Sequence, residues 1–193
     1  MRPLLSILLL AAGTLCAADA TAPAAGPQIP RKAPELAIQL PDRQLLLSSY
    51  RGYICVVAFM STTCPHCQHL ASVLGPIQQE YAPKGVQVLG VVFNPEANIG
   101  LPAFSRAYAR DLFPIGMSTD ETVAAFVQHP PGIHYIPMIA FIDKHGVIRA
   151  QHLGINDGVF FTENVEVQNI KDELDRIIKD PIVTLPEPAV KKK

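Results

Sequence analysis

Residues 53–70 read YICVVAFMSTTCPHCQHL and combine a continuous apolar run, a short polar turn and two cysteines separated by two residues. An apolar run of this length with several β-branched residues predicts a central strand that is covered on both faces. The residues after the turn have helical spacing. Cys64 and Cys67 are therefore expected where a buried strand leads into a helix, a position at which thiols become reactive.

The composition indicates one compact globular domain with extensions. The chain has 193 residues, of which 49% are hydrophobic and 17% are charged, and its formal net charge is -1. These values are typical of a soluble folded domain that is large enough to bury a core. The near-neutral balance gives no electrostatic reason to expect a nucleic acid or an anionic membrane as a partner.

Residues 1–20 are predicted to be a secretory signal peptide. Arg2, a short apolar run and the small-residue pattern Ala18-Asp19-Ala20 favour this interpretation, and the run is too short for a stable membrane span. Cys16 follows Leu15, whereas a lipidated cysteine follows a small residue, so lipid anchoring at Cys16 is not predicted. We expect an exported protein, periplasmic or secreted, whose other three cysteines lie in an oxidising compartment.

The rest of the chain divides into a flexible leader at 21–32, one domain at 33–180 and a disordered tail at 181–193. The domain is predicted to be α/β, with a mixed sheet and helices on both faces. Strands are expected at 53–60, 86–93, 138–143 and 147–153, a small hairpin within 35–47, helices at 65–81, 102–112 and 119–127, and a closing helix with Val167, Ile170, Leu174, Ile177 and Ile178 on its apolar face. We expect Gly75-Pro76 to kink or break the first helix, and Ser118 or Thr119 to cap the third.

Cys64 and Cys67 have the spacing of a redox-active pair. Two cysteines on the first turn of a helix can close a small disulfide and reopen it by exchange with another dithiol. The positive end of the helix dipole favours the thiolate of the first cysteine, so Cys64 is the predicted nucleophile and Cys67 the resolving thiol. His66, as an imidazolium, would stabilise the thiolate further and make the disulfide a stronger oxidant.

Other roles for these cysteines fit the sequence less well. A zinc site needs a second pair of ligands, and Cys55 is expected as a small buried residue inside the first strand. A c-type haem needs a histidine after the second cysteine, where Gln68 stands. A structural disulfide that spans two residues removes little chain entropy. We therefore predict no metal and no cofactor.

The chain resembles the TlpA/ResA-like thiol-disulfide oxidoreductases, which have a thioredoxin fold and are close to the AhpC/TSA redoxin group. The resemblance covers about residues 33–178 and rests on APELAIQLPDRQLLLSSYRG, on the strand that ends in CPHC, and on Ile136-Pro137 before FIDKHGVIRAQHLG. It implies that Pro137 is cis and lies against the active-site disulfide, and that the backbone of Ile136 pairs with the bound substrate. The implied partners are protein dithiols or disulfides and a redox partner that recharges the pair, and a monomer is expected.

Several positions depart from this family. Thr63 replaces the usual tryptophan before the first cysteine, and Ala58 and Leu70 stand where related proteins carry acids. Proton transfer at Cys67 would then use water, His66 or His69. The Pro-His dipeptide between the cysteines instead resembles the periplasmic disulfide oxidases, so the direction of electron flow stays open.

Two further functions remain as alternatives. A peroxiredoxin-like peroxidase would use Cys64 as its peroxidatic thiol, but Val57 and Ser61 occupy the positions where that class has proline and threonine. A copper-binding or thiol-chaperone module without turnover would bind Cu(I) through the two soft thiolates. His129, His134 and His152 are scattered along the sequence and are interpreted as surface or core residues.

Overall fold

The computed structural model describes residues 28–129, 132, 135–154 and 157–180. The predicted signal peptide with Cys16, most of the leader, the tail and His134 lie outside the described residues. The strands are β1 (Arg31–Lys32), β2 (Ala37–Gln39), β3 (Gln44–Leu46), β4 (Ile54–Met60), β5 (Val86–Val92), β6 (Ile115–Met117), β7 (Met138–Ile142) and β8 (Val147–Leu153). The helices are α1 (Pro65–Tyr81), α2 (Ala97–Phe104), α3 (Asp120–Val127) and α4 (Glu166–Lys179), with a π-helical turn at Ser105–Ala109 directly after α2.

The strands form one eight-stranded mixed sheet in the order β1-β8-β7-β4-β5-β6-β2-β3. β4 is parallel to β5 and antiparallel to β7, and β5 is parallel to β6. Side chains from α1, α2 and α4 pack on one face of the sheet, and side chains from α3 and the segment around β2 pack on the other. The predicted α/β class, with a mixed sheet and helices on both faces, is confirmed.

β4 lies at the centre of this sheet, and all seven of its residues are buried. Ile54, Val56, Ala58 and Met60 face the α1 side, whereas Cys55, Val57 and Phe59 face the α3 side. A strand buried on both faces shows no polar alternation, which is why the sequence reads as a continuous apolar run. The carboxyl end of β4 therefore leads directly into the cysteine turn.

α1 has the predicted bounds and continues through Gly75-Pro76, so a break there is wrong, whereas the alternative of a kink stays a prediction. Pro76 is on the solvent face, so the carbonyl group of Ser72 that loses its helical partner lies on an exposed turn of the helix. Gly75 is buried, and a Cβ atom there would lie 2.9 Å from Cδ1 of Leu112. The glycine thus lets the chain after α2 approach α1 closely.

Three other predictions need correction. The helix expected at 102–112 begins at Ala97 and ends as the π-helical turn, with the exposed Pro102 inside α2 instead of at its start. The short strands β1 and β6 were not predicted, and β1 lies within the segment interpreted as a leader. On α4, Val167 is 41% exposed, and Glu166 takes the buried position at 1% exposure. The hairpin of β2 and β3 and the capping role of Thr119, whose side chain accepts from the N–H of Thr122, are confirmed.

The outer edge of β5 is open before β6 begins, because the first strand pair between them joins Gly90 to Ile115. The buried side chain of Gln78 occupies this gap. Its Nε2 donates to the carbonyl of Val86, and its Oε1 accepts from the N–H of Val88. The amide of Gln78 therefore makes the two hydrogen bonds that a neighbouring strand would make.

Candidate functional site

Cys64 is the N-cap residue of α1, and Pro65 occupies the first helical position. Proline is favoured there because its missing N–H has no partner in a helix. Cys64 is partly exposed, whereas Cys67 is fully buried, and both are free thiols. The structure therefore places the two predicted site cysteines together on the first turn, with only the first accessible to another protein.

The turn that precedes Cys64 is fixed by side chains from two neighbouring segments. The N–H of Thr62 donates to Oδ1 of Asn94 at 3.0 Å, and Nδ2 of Asn94 donates to Oγ1 of Thr62 at 3.1 Å. Nε2 of Gln68 donates to the carbonyl of Thr62 at 3.2 Å. Asn94 follows β5, so the carboxyl ends of two parallel strands hold the cysteine turn between them.

The environment of Cys67 keeps this thiol protonated. Burial raises the pKa of Cys67 far above its ordinary value, and a hydrogen bond with Cys64 and the charge of Cys64 raise it further. A hydrogen bond from the backbone of Ser61 acts in the opposite direction. A buried thiol that is protonated until its neighbour reacts is suited to be the resolving group.

The peptide bond between Ile136 and Pro137 is cis, as the resemblance implied. Phe59 pairs with Met138, so Pro137 lies beside the carboxyl end of β4, where the cysteine turn begins. Gly154 holds this loop because its N–H donates to the carbonyl oxygens of Tyr135, at 2.8 Å, and Pro137, at 3.0 Å. Among the described residues, no backbone group forms a hydrogen bond with the N–H or carbonyl of Ile136.

We call residues 135–137 the proline loop, and a groove of about 310 Å³ lies beside it. His66 from α1, Pro137 from the loop and Phe161 from the segment before α4 contribute to its walls. The complete lining is His66, Tyr135, Ile136, Pro137, Gly154, Gly158 and Phe161. Three of the five predicted site residues, His66, Ile136 and Pro137, thus share one groove.

Sequence reasoning missed three residues of this region. Asn94 directly follows a buried strand next to β4, so the rule that located Cys64 could have located it too. Glu166 lies against α1, where its Oε2 is 3.2 Å from Nε2 of His69. It stands four residues before Ile170 on the buried stripe of α4, and an acid at such a position is a signal. Gly154 gave no signal, because its role depends on how β8 ends against the proline loop.

The other candidates lie outside this site. Cys55 is 2% exposed, and burial raises its pKa to about 12, which supports its prediction as a small buried residue. Nδ1 of His152 lies 2.8 Å from Oδ2 of Asp157, and the His152 ring stacks on Phe160. The rings of His129 and Tyr135 are T-shaped to each other, with centroids 4.7 Å apart. No helix among the described residues has the length and apolar character needed to cross a membrane.

Comparisons with known proteins agree with this fold. A family model described as AhpC/TSA family matches residues 29–151. The chain is 22% identical to a thiol:disulfide interchange protein of the thioredoxin family from Chlorobium tepidum TLS, with a TM-score of 0.60 and coverage of 77% of this chain and 99% of that chain. It is 27% identical to a thioredoxin-like superfamily protein, with a TM-score of 0.58 and coverage of 80% of this chain and 99% of that chain. The thioredoxin domain of a thiol-disulfide oxidoreductase from Bacteroides vulgatus is 17% identical to the chain, with a TM-score of 0.59 and coverage of 77% of this chain and 96% of that chain. No curated protein matches the chain. The predicted thioredoxin-like fold is confirmed.

Proposed function

The chain belongs to the AhpC/TSA family, and we propose that it is a thiol-disulfide oxidoreductase that exchanges a Cys64–Cys67 disulfide with protein thiols. The observation that carries this proposal is the asymmetry of the two thiols: Cys64 is accessible at a helix N-terminus, and Cys67 is buried beneath it. Such a pair can form a mixed disulfide with a client and then release it. The groove at Pro137 supports a protein client, because it offers the backbone of Ile136 next to the reactive turn.

The exchange balances in either direction. As a reductant, the Cys64 thiolate attacks a client disulfide, a mixed disulfide forms and one client sulfur leaves as a thiolate. Cys67 then loses its proton and attacks the sulfur of Cys64, which releases the client dithiol and leaves the Cys64–Cys67 disulfide. Two electrons pass to the client, and a redox partner must return the pair to the dithiol. As an oxidant, the same steps run in reverse.

The experiment uses the full domain and two cysteine variants. Wild type is expected to accelerate insulin reduction or the oxidation of a reduced protein, and Cys64→Ser is expected to abolish this activity. Cys67→Ser is expected to accumulate a mixed disulfide with the client, because its resolving thiol is gone. Retention of the exchange activity by Cys64→Ser would contradict the proposal. The equilibrium of the couple with glutathione then gives the direction, and a potential near that of thioredoxin would exclude the oxidant role suggested by His66.

We also propose that the protein works outside the cytoplasm, in the periplasm or after secretion. The apolar run and small-residue pattern of residues 1–20 support export. Cell fractionation of the full-length chain tests this, and recovery of an unprocessed protein in the cytoplasm would contradict it.

A further inference from the structure

A histidine near the end of β8 contacts the loop that leads from this strand to α4. Nδ1 of His152 lies 2.8 Å from Oδ2 of Asp157. The imidazole ring stacks on the ring of Phe160, with centroids 3.7 Å apart and an angle of 12° between the planes. A carboxylate accepts hydrogen bonds and cannot donate them, so Nδ1 carries a proton and donates to Asp157. One side chain of the sheet therefore holds this loop at two points.

Residues 157–162, which we call the wall loop, form one side of the groove at the proline loop. Gly158 and Phe161 line the groove, and each directly follows a residue that His152 contacts. The rings of Phe160 and Phe161 are in T-shaped contact, with centroids 5.2 Å apart. A movement of Phe160 away from His152 would therefore displace the ring of Phe161 in the groove.

Other contacts hold the backbone of the wall loop. The N–H of Asp157 donates to the last carbonyl of β8 at 3.0 Å, and Nδ2 of Asn169, on α4, donates to the carbonyl of Phe160 at 3.1 Å. These bonds hold main-chain atoms and do not fix the direction of the Phe160 ring. That ring meets the sheet through the stack on His152 and through a T-shaped contact with Phe141, on β7, whose centroid is 6.2 Å away. The closer of these two ring contacts is the one with His152.

The end of β8 thus fixes two sides of the groove. Gly154 bonds to the proline loop through its N–H, and His152, two residues earlier, bonds to the wall loop. The space between Pro137 and Phe161 depends on both of these contacts. His66, on α1, lines the same groove from the side of the cysteines.

We propose that His152 and Asp157 are positioning residues for the client: their hydrogen bond and the stack on Phe160 hold Phe161 where the groove receives a client chain. This inference rests on the proposed function, in which a protein client occupies the groove. The hydrogen bond and the ring contacts of His152 are with β7 and the wall loop, and the reactive thiols are on α1. The pair therefore affects how tightly a client binds and not how fast Cys64 reacts. Its signature is a higher KM with an unchanged kcat.

The test measures kcat and KM of the full chain with insulin if wild type reduces it, or with reduced ribonuclease A if wild type oxidises it. His152→Ala and Asp157→Ala are each expected to raise KM by about three- to tenfold, the fold-change that corresponds to one net hydrogen bond. The value of kcat and the rate at which iodoacetamide alkylates Cys64 should stay at the wild-type level. The double variant should raise KM no more than the stronger single variant does, because both changes remove the same contact. Asp157→Asn keeps an oxygen that accepts from Nδ1 and should retain a KM close to that of wild type.

Gln151 provides the matched control, because it precedes His152 on β8 and its side chain lies on the opposite face of the sheet. Its Nε2 donates to the carbonyl of Val127 at 2.8 Å, and its Oε1 accepts from Arg31 at 2.7 Å. Gln151→Ala therefore removes hydrogen bonds from the same strand without changing the wall loop, and its KM should match wild type. An equal rise of KM in Gln151→Ala and His152→Ala would overturn the inference, because the effect would then come from a general loss of stability.

The remaining outcomes separate the inference from the proposed function. In an active protein, wild-type KM values for His152→Ala and Asp157→Ala would overturn the inference alone, and so would a fall in kcat without a rise in KM. The side chain of Asp157 is 47% exposed, so Asp157→Ala tests the inference even if His152→Ala fails to fold. If wild type exchanges disulfides with neither client, the proposed function is rejected, and amide hydrogen exchange of residues 157–162 decides whether the pair holds the wall loop. Faster exchange in His152→Ala than in Gln151→Ala would support this role, and equal exchange would overturn it.

Discussion

Replacing Gly154 with alanine should disturb the proline loop while leaving the cysteines in place. The N–H of Gly154 bonds to the carbonyl oxygens of Tyr135 and Pro137, and a Cβ atom on Gly154 would lie 3.0 Å and 2.9 Å from these same oxygens. Carbon–oxygen contacts in folded proteins are ordinarily about 3.3 Å or longer, so the loop must retreat by roughly 0.4 Å. Because the atoms in contact belong to the backbone, a side-chain rotation cannot relieve the clash.

The size of the effect follows from these contacts. Overpacking of this kind destabilises a folded domain by about 1–3 kcal/mol. The same displacement moves the backbone of Ile136, which we propose pairs with a client chain. The loss of one hydrogen bond of about 1 kcal/mol, together with a misplaced partner, corresponds to a roughly tenfold slower exchange with a protein. Alkylation of Cys64 by iodoacetamide should be unchanged, because Gly154 bonds to the loop and not to α1.

The assay compares insulin reduction and Cys64 alkylation for Gly154→Ala and for a matched control in the same groove. Gly158 also lines the groove, but a Cβ atom there would meet nothing within 4 Å, so Gly158→Ala should behave as wild type. If Gly154→Ala reduces insulin as fast as Gly158→Ala does, the proposed role of the loop is refuted. Equal slowing of insulin reduction and alkylation would also refute it, because the defect would then lie at the cysteines.

Three further predictions concern stability, measured as the free energy of unfolding in urea. Gln78→Leu should destabilise the domain by about 2–4 kcal/mol, because it leaves the N–H of Val88 and the carbonyl of Val86 unpaired. Gln168→Leu, on an exposed residue of α4 whose amide bonds to Asp172, is the control, and equal losses would contradict the edge role of Gln78. Thr119→Ala should lower the free energy of unfolding by about 1 kcal/mol, because the hydroxyl that caps α3 is gone, and Thr119→Ser should keep most of this stabilisation. An alanine variant as stable as wild type would show that the cap does not stabilise the domain. Burial raises the pKa of Glu166 from 4.5 to about 7, so the contribution of Glu166 to stability is fully present below about pH 4.5 and is lost as the pH rises through about 7. Glu166→Gln should flatten this pH dependence, and an identical slope in the variant would contradict the shift.

The centre of the fold could be predicted from the sequence because its signals are local. The uninterrupted apolar run of β4 and the Pro-initiated pattern of α1 fix the strand, the helix and the junction that carries Cys64 and Cys67. The cis bond before Pro137 was implied by the family resemblance and not by the residues themselves. These elements are sufficient to locate the candidate site.

The residues that complete the site could not be predicted, because they act across the fold. Val167 and Glu166 are adjacent on α4, and a hydrophobic pattern alone assigns the valine to the core, whereas the structure buries the glutamate, with Oε2 3.2 Å from Nε2 of His69 on α1. The start of α2 was missed because Pro102 was interpreted as a first helical residue, although an exposed proline can lie within a helix. Gly154 matters only through the loop that it meets, and no local pattern indicates that contact.

Burial of Cys55 at the centre of β4 has a consequence for how the protein matures. The described chain has three thiols, and an unfolded chain in an oxidising compartment could join Cys55 to either of the other two. Such a bond would trap the polypeptide, because the native strand cannot form around it. Once β4 is buried between the helices on its two faces, Cys55 is 2% exposed and its thiol no longer competes for a disulfide with Cys64 or Cys67. The proposed disulfide between Cys64 and Cys67 would then form without competition from Cys55 when the sheet collapses before the thiols are oxidised.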